Sequence, residues 1–421
     1  MIQPREARLF NVSDVRVSTV DKHTNEGEQA VRLCNYVDVY KNEVILNDFD
    51  FMPATCTPDE IARFRLAPGD VVFTKDSETA DDIGIPAFVE TSAPDLVCGY
   101  HVAIATPHQD LVDPKFLFWY LNSRPAFAWW ETRASGVTRV GLRQEDIRHL
   151  PLGALPPMSH QRAIADFLDR ETAQIDAMIE AQEQLLRSVM ERRAAIRRRG
   201  FFDLRETEAT RPLKHLTVKV SGSAFPLDEQ GEQGLELPFH KVAALAHRDS
   251  RGVITAESDS ITSETSSELG AQIVPAGSSL MAKIGAASLL ARVGINMHDC
   301  CIDNNMVAFV PRTGVVSRFL YHVLCDLDIY PYINQSTIPY MNERAIMNAP
   351  VPLPTLAEQQ RLVEGFDKEL AQGSILVGET ETSIAVLRER REALITAAVT
   401  GRIDPATGVE RIDPTTEKEA S

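Results

Sequence analysis

The sequence lacks the short motifs that mark most nucleotide-dependent and hydrolytic enzymes. Its 421 residues contain no GxxxxGK[ST] phosphate-binding loop and no GxGxxG after a predicted strand. The carboxylates do not have the D…ExK spacing of metal-dependent nucleases, and no Ser, His and Asp set stands out as a triad. We therefore expect no catalytic residue, no metal site and no cofactor in this chain, and a stand-alone enzyme is the least favoured interpretation.

Paired cysteines and long apolar runs are also missing. The six cysteines form no CxxC pair, and the adjacent Cys300-Cys301 is not a metal-ligand spacing. Free, buried thiols in a reducing compartment are the expectation. No run approaches the ~18 apolar residues of a membrane span, and the N-terminal MIQPREARLF has no apolar signal core. We expect a cytoplasmic chain with no membrane partner.

Basic residues are scarce. Lysine and arginine together number 43 against 60 aspartates and glutamates, which gives a formal net charge of −17. The shortage also holds regionally, with net charges of −8 in residues 1–155 and −5 in residues 201–352. A protein that binds nucleic acid by itself usually carries a basic patch or stripe. The composition therefore argues against unaided nucleic-acid binding.

Two long helical segments dominate what is present. Residues 156–200 carry apolar side chains at helical spacing, with no Gly or Pro between Ser159 and Arg199. At 1.5 Å per residue, this predicts a rod on the order of 60 Å long. The pattern restarts 198 positions later, in residues 353–400. A coiled-coil seam is predicted along the two rods, formed by Leu168, Ile175, Gln182, Val189, Ile196, Leu376, Thr380, Leu387 and Leu394.

Charge is distributed alike along both rods. The first rod is acidic near its start, as at Asp169 and Asp176, and basic near its end, as at Arg192-Arg193; the second ends on Arg390-Arg391. The helix dipole accounts for part of this pattern. Antiparallel packing would also lay each acidic end beside a basic end. Gln182 and Thr380, near the two midpoints, would then form a polar layer that fixes the register.

The segments between the rods repeat as well. Residues 1–155 are predicted to be mixed α/β, and residues 201–352 form a divergent repeat of them. The strand-like run Gly69–Lys75 is echoed by Gly277–Lys283, and the loop Gly136–Gly141 is echoed by Gln335–Tyr340. The predicted fold is α/β (α+β), with two α/β domains separated by two long antiparallel coiled-coil helices in a pseudo-two-fold arrangement. Residues 401–421 are predicted to be a polar tail, ordered only against another subunit.

A second local prediction concerns the aromatic stretch that precedes the first rod. Residues 113–133 read as one helix that carries Phe116, Trp119 and Trp130. These aromatic side chains are expected to fill a core, because large apolar side chains at helical spacing are typical of buried faces.

The rods resemble the spacers of a known family. LPTLAEQQRLVEGFDKE and RREALITAAVTGRID resemble the second spacer of the specificity subunit of type I restriction–modification enzymes, and PPMSHQRAIADFLDRETAQIDAMIE resembles the first. The sequence departs at His160, where the family usually has Glu. The resemblance covers nearly the whole chain: target-recognition domain 1 (1–155), spacer (156–200), target-recognition domain 2 (201–352) and second spacer (353–400).

The resemblance implies a non-catalytic DNA-reading subunit. Each recognition domain would read one half of a bipartite site in double-stranded DNA, and the spacers would dock two DNA methyltransferase subunits. Two restriction (translocase) subunits would join them. S-adenosylmethionine, ATP and Mg²⁺ would bind to these partners and not to this chain. Because both recognition domains are acidic, we expect the partners to help neutralise the phosphates.

The resemblance also implies candidate DNA contacts. Lys75 and Lys283 match the basic residue that ends the family's GDhhhxK/R strand motif. Thr138 with Arg139, and Ser336 with Thr337, match the polar loop before each spacer. Contacts of these types would position the protein on the DNA backbone. The competing hypothesis is a coiled-coil adaptor whose two α/β heads bind proteins.

Overall fold

The computed structural model describes residues 7–249, 251–256 and 258–409. Residues 1–6 of the N-terminal stretch and residues 410–421 of the predicted tail therefore lie outside the described part. The chain divides into two compact units, here called unit 1 (Met1–Glu180 with Ala385–Ser421) and unit 2 (Ala181–Ile384). Each long helix contributes one part to each unit, so the unit boundaries fall within the predicted rods.

Twelve α-helices occur in the described residues. Helix α7 is longer than the predicted first rod, because it continues through Gly200 and adds two turns. The second rod begins and ends close to its predicted bounds. The helices are α1 (Leu9–Val12), α2 (Tyr36–Lys41), α3 (Pro58–Phe64), α4 (Pro114–Leu121), α5 (Arg124–Glu131), α6 (Gln144–Arg148), α7 (Met158–Thr207), α8 (Ser263–Glu268), α9 (Ala286–Leu289), α10 (Ser317–Asp326), α11 (Glu343–Ile346) and α12 (Leu356–Val399).

The single helix predicted over residues 113–133 is wrong. The stretch forms two helices, α4 and α5, with a break at Asn122-Ser123. Pro125 causes the break, because its ring has no amide hydrogen and would clash with the carbonyl of Leu121 in a continuous helix. The core prediction is confirmed: Phe116, Trp119 and Trp130 are buried.

Unit 1 is built on a five-stranded sheet with the order β2-β10-β6-β8-β4 and a three-stranded sheet with the order β5-β3-β9. Two short pairs, β1-β12 and β7-β11, complete it. Its strands are β1 (Ala7–Arg8), β2 (Ser13–Val17), β3 (Gln29–Cys34), β4 (Val44–Ile45), β5 (Met52–Cys56), β6 (Val71–Thr74), β7 (Asp76–Ser77), β8 (Pro86–Val89), β9 (Leu96–Cys98), β10 (Val102–Pro107), β11 (Val140–Gly141) and β12 (Pro151–Gly153).

Unit 2 repeats this frame. Its four-stranded sheet, β14-β20-β17-β18, has the order of β2-β10-β6-β8, and its three-stranded sheet is β16-β15-β19. In both three-stranded sheets the last pair is parallel and the other antiparallel. The strands are β13 (Thr210–Pro212), β14 (Thr217–Ser221), β15 (Leu237–His240), β16 (Ser260–Ile261), β17 (Ser279–Ala282), β18 (Val293–Ile295), β19 (Cys301–Ile302), β20 (Met306–Pro311), β21 (Ile333–Asn334), β22 (Tyr340–Met341) and β23 (Pro350–Pro352).

The central sheet of each unit is covered by apolar side chains on both faces. In β6, Val71 and Phe73 join the core cluster that contains the long-helix residues, whereas Val72 joins the cluster on the opposite face. In β20, Val307 and Phe309 likewise join one core cluster of unit 2, whereas Ala308 joins the cluster on the opposite face. Successive side chains of a strand point to opposite faces. Both sheets therefore form a middle layer, which explains their continuous apolar runs.

Within each unit, segments of the two long helices pack against each other and against the central layers. Among the predicted seam residues, Leu168, Ile175 and Thr380 are buried, and Gln182, Val189, Ile196, Leu387 and Leu394 are half-buried. Leu376 was predicted to lie on the seam but is exposed. Ile384 and Ile395, which were not predicted, are buried in α12. The buried face of α12 therefore keeps Thr380, Leu387 and Leu394 of the predicted seam, lacks Leu376 and includes Ile384 and Ile395.

The predicted pairing of acidic with basic helix segments occurs in unit 1. Arg391, near the end of α12, donates to Glu43 at 2.6 Å and forms an ion pair with Asp176 of α7, with 2.9 Å between Nε and Oδ1. The guanidinium is mostly buried, with 15% of its side chain exposed. Two carboxylates around one arginine satisfy its charge better than an exposed pair would. The acidic turns of α7 thus lie beside the basic end of α12, as expected for antiparallel segments.

The tail prediction is wrong for residues 401–409. Ile403 is 9% exposed and belongs to the core cluster of unit 1 that also contains Ile164 and Ile395. Asp404 closes a turn by accepting from Gly408 N at 2.8 Å. This segment is therefore held by its own chain, because the Ile403 side chain packs into the core of unit 1.

Candidate nucleic-acid interface

In unit 1 the structure brings together two of the elements that the sequence proposed as DNA contacts. Lys75 follows the end of β6, and its carbonyl accepts from Leu142 N at 2.8 Å. The preceding loop, Gly136–Val140, is closed by reciprocal backbone bonds between Ser135 and Gly141 of 3.2 and 3.0 Å. Thr138 and Arg139 are exposed on this loop. A strand-end lysine and a polar loop thus share one edge.

Unit 2 builds the same edge from equivalent residues. The carbonyl of Lys283 accepts from Met341 N at 2.8 Å. The loop 335–339 is closed by the pairing of Asn334 with Tyr340 in β21-β22. Ser336 and Thr337 are exposed on it. The loops align as the sequence repeat predicts, with Tyr340 in the place of Gly141.

The loop of unit 1 requires glycine at Gly136. Its φ is +152°, and a Cβ there would lie 1.9 Å from the carbonyl oxygen of Arg139. No side chain can occupy that space without moving the backbone. The tight closure holds the exposed Thr138 and Arg139 at the tip, where a ligand can reach their side chains.

The two lysines are less exposed than the loops, and both pair with carboxylates. Lys75 Nζ lies 2.5 Å from Asp76 Oδ2, which also lies 2.7 Å from His101 Nδ1. Only 18% of the Lys75 side chain is exposed. The Asp76 carboxylate already compensates part of the charge of the Lys75 ammonium. A phosphate would therefore share this ammonium with Asp76.

Unit 2 surrounds one carboxylate with three donors. Lys283 Nζ donates to Glu343 Oε1 at 3.1 Å, Ser221 Oγ donates to Oε2 at 2.7 Å, and Lys219 Nζ also donates to Oε2. Burial alone would raise the pKa of Glu343, but these hydrogen bonds outweigh it and lower the pKa to about 2. The cluster is therefore charged at neutral pH and contains more cations than anions.

Sequence reasoning missed the residues around these lysines. Lys219, Glu343 and His101 come from separate segments, and their sequence neighbours do not distinguish them from ordinary surface residues. Only Asp76 carried a signal, since it follows Lys75 directly. Long-range pairing of β14 with β20 and the position of α11 bring Lys219 and Glu343 together.

The described residues also bear on metal binding, membrane crossing and the state of the thiols. Within them, no group of three or more His, Cys, Asp or Glu residues could hold a metal ion, and no helix is long and apolar enough to cross a membrane. The cysteine prediction is confirmed, because all six thiols are free and five are buried, with Cys325 half-buried. Burial raises the pKa of the Cys300 thiol to about 12, which makes it unreactive.

Parts of the sequence are similar to known proteins. Residues 237–378 match the family model described as type I restriction modification DNA specificity domain. A segment of 88 residues is 35% identical to the type I restriction enzyme EcoBI specificity subunit of Escherichia coli. That match covers 20% of this chain and 19% of the relative, so it spans about a fifth of either protein.

Solved structures resemble the chain over nearly its full length. A chain from a study of complex assembly and conformational transition of the type I R-M system aligns over 94% of this chain and 97% of its own, with 17% identity and a TM-score of 0.55. The HsdS subunit from Thermoanaerobacter tengcongensis aligns over 94% and 96% at 17% identity, with a TM-score of 0.39. Only the first is similar enough to support the fold. Residues 237–378 thus match the type I restriction modification DNA specificity domain, and the resemblance of the chain to the specificity subunits of type I restriction–modification enzymes is confirmed.

Proposed function

We propose that this chain is the DNA sequence-recognition subunit of a type I restriction–modification complex. Each unit reads one half of a bipartite site, and the long helices dock two methyltransferase subunits, to which two restriction subunits add. The chain itself carries out no chemistry and acts in the cytoplasm, where its DNA lies. S-adenosylmethionine, ATP and Mg²⁺ belong to the partner subunits.

The observation that carries this proposal is the repeated edge. In both units a backbone bond joins the strand-end lysine to the residue after the polar loop, Lys75 to Leu142 and Lys283 to Met341, at 2.8 Å in each case. Two equivalent edges with different surrounding side chains are what a reader of two unlike half-sites requires. A pair of protein-binding heads has no need for a matched lysine and loop.

The acidic composition determines how binding would work. Lysine and arginine contacts to phosphates supply most of the non-specific affinity of DNA-binding proteins. With a net charge of −17, this chain is short of such contacts. The methyltransferase partners would therefore supply much of the phosphate neutralisation, while this chain supplies the sequence preference.

Binding to a random-sequence duplex and selection from a randomised duplex library test the proposal. The chain should bind DNA weakly alone and strongly with its methyltransferase partner, and the complex should enrich a bipartite motif. Exchanging residues 201–352 for the equivalent segment of a relative should change one half of that motif. A complex that enriches no motif, or a change in both halves, would show that the two units do not read separate half-sites.

A further inference from the structure

Positions beside the two candidate edges share a backbone frame but carry different side chains. Lys75 N donates to the carbonyl of His101 at 3.0 Å, and Lys283 N donates to the carbonyl of Asn305 at 2.7 Å. His101 and Asn305 therefore occupy the same place relative to the strand-end lysine. The two units share this backbone arrangement, but the side chain is an imidazole in unit 1 and an amide in unit 2.

A second pair of backbone bonds defines the neighbouring position. Gly99 N donates to Cys34 O at 2.8 Å in unit 1, and Asp303 N donates to His240 O at 3.0 Å in unit 2. The residues that follow these carbonyls begin with Asn35-Tyr36 in unit 1 and with Lys241-Val242 in unit 2. Side chains that differ on a common frame are suited to discrimination between two ligands of one class.

In unit 1 these positions line two adjoining cavities. One, of about 570 Å³, is lined by residues that include Asn35, Tyr100 and Met52. The other, of about 350 Å³, is lined by residues that include Tyr40, Asp82 and Arg139. Tyr36 and His101 line both cavities. They therefore form the wall between the cavities, and Arg139 of the polar loop lines the smaller one.

The two wall residues are held in place and still present polar atoms. His101 Nδ1 lies 2.7 Å from Asp76 Oδ2, and 23% of the His101 side chain is exposed. The Tyr36 ring stacks on Tyr40 with centroids 5.4 Å apart and an interplanar angle of 15°. Among the described residues, neither His101 Nε2 nor the Tyr36 hydroxyl has a hydrogen-bond partner. A ring fixed on one side and open on the other is preorganised for a ligand.

The chemistry of these atoms suits base edges. In the tautomer that donates Nδ1–H to the Asp76 carboxylate, His101 offers Nε2 as an acceptor, which matches the exocyclic amino group of adenine or cytosine. The Asn305 amide in unit 2 can pair with adenine N6 and N7. Carboxylates such as Asp76 and Asp82 can accept hydrogen bonds from the amino groups of bases.

We infer that Tyr36 and His101 in unit 1, and Asn305 in unit 2, determine the sequence preference by contacting base edges in the groove of double-stranded DNA. The inference rests on the proposed function and goes further by naming the reading side chains. Arg139 and the strand-end lysines contact the DNA backbone, and the residues of the cavity wall contact the bases.

The test uses the chain in complex with its methyltransferase partner and a randomised duplex library. Tyr36→Phe and His101→Ala should each reduce preference at one or two adjacent positions of one half-site by about tenfold, the equivalent of about 1.4 kcal/mol. Asn305→Ala should do so in the other half-site. His101→Asn, which installs the unit 2 side chain on the unit 1 frame, should change the preferred base instead of abolishing the preference.

Matched controls separate reading from folding. His108→Ala and Asn348→Ala remove the same side-chain types elsewhere in the same units and should leave the motif unchanged. Tyr36→Phe deletes only a hydroxyl and keeps the stack on Tyr40, so it tests the inference if His101→Ala unfolds. If the wild-type complex enriches a bipartite motif and Tyr36→Phe, His101→Asn and Asn305→Ala leave it intact, the inference is wrong. If the wild-type complex enriches none, the proposed function itself fails.

Discussion

Gln161 and Gln359 make the same three hydrogen bonds near the starts of the two long helices. Gln161 Oε1 accepts from Asp113 N at 2.8 Å, and its Nε2 donates to the carbonyls of Leu111 and Pro156 at 3.3 and 2.8 Å. Gln359 Oε1 accepts from Val316 N at 2.9 Å, and its Nε2 donates to Gly314 and Pro354 at 3.2 and 3.0 Å. Each amide is 1% exposed and attaches the loop before α4 or α10 to a long helix.

Removal of the buried side-chain amide of Gln359 should loosen the loop before α10. Gln359→Ala leaves the Val316 amide and two carbonyls without partners, at a cost of about 1–3 kcal/mol for each buried group that water does not reach. Hydrogen exchange of the Val316 amide should accelerate by at least about tenfold. Gln360→Ala, an exposed neighbour on the same turn, should leave this exchange rate unchanged. Equal rates in both variants would show that the amide does not anchor the loop.

Two helical glycines of unit 2 should respond in opposite directions to alanine. A Cβ at Gly373 would meet Val189 and Arg193 at 3.5–3.7 Å, which is ordinary contact, whereas a Cβ at Gly200 would lie 2.5 Å from Phe366. Gly373→Ala should stabilise unit 2 by about 0.5–1 kcal/mol through helix propensity. Gly200→Ala should destabilise it by about 1–3 kcal/mol through overpacking.

Urea unfolding of unit 2 can be followed through the buried Cys300, whose thiol becomes accessible to an alkylating reagent only on opening. Tryptophan fluorescence reports unit 1 instead, because Trp119, Trp129 and Trp130 all lie there. Both glycine variants should leave the tryptophan transition in place. The same sign of shift for both substitutions would contradict the contact geometry.

Unit 2 should lose stability as the pH falls from neutrality. Burial lowers the pKa of His322 from 6.5 to about 4, and the side chain is fully buried beside Asp367. Between these values the unfolded chain binds a proton that the folded chain does not, so stability rises with pH across this window. The full effect of His322 is on the order of 3 kcal/mol. His240, with its pKa lowered to about 4 by burial, acts with the same sign.

The pH prediction is checked by comparison of urea midpoints for unit 2 near pH 7 and near pH 5. His322→Gln should roughly halve the difference, since His240 remains. His215→Gln, which changes an exposed histidine of the same unit, should leave the difference as in the wild type. An undiminished difference in His322→Gln would assign the pH dependence to other groups.

The strand-end lysine of unit 2 should contribute to DNA affinity through charge alone. Lys283→Ala in the complex with the methyltransferase should weaken binding to all sequences alike and reduce the slope of log affinity against log salt by about 0.9. Glu343→Gln removes the competing carboxylate and should raise both affinity and slope. Lys214→Ala, at an exposed lysine outside the edge, serves as the control. An unchanged slope in Lys283→Ala would place this lysine away from the phosphates.

The sequence predicted the parts of this fold that depend on local pattern and on the repeat. The 198-residue offset located the second long helix, and the repeat between the two domains aligned Gly136–Gly141 with Gln335–Tyr340. It could not locate residues that meet only after folding. Glu343 joins Lys219 and Lys283 because strand pairing and a short helix bring distant segments together. The exposure of Leu376 and the burial of Ile384 likewise depend on packing within the units, which heptad spacing alone does not contain.

Unit 1 is assembled from two stretches of sequence that are synthesised far apart in time. Its first 180 residues leave the ribosome well before Ala385, the start of its second stretch. At about 5–20 residues per second, the intervening segment takes roughly 10–40 s to make. During that interval the surface later covered by Ile395, Ala398, Val399 and Ile403 is open to solvent. The nascent chain therefore offers chaperones an apolar binding surface, and unit 2, which is continuous, can complete its folding first.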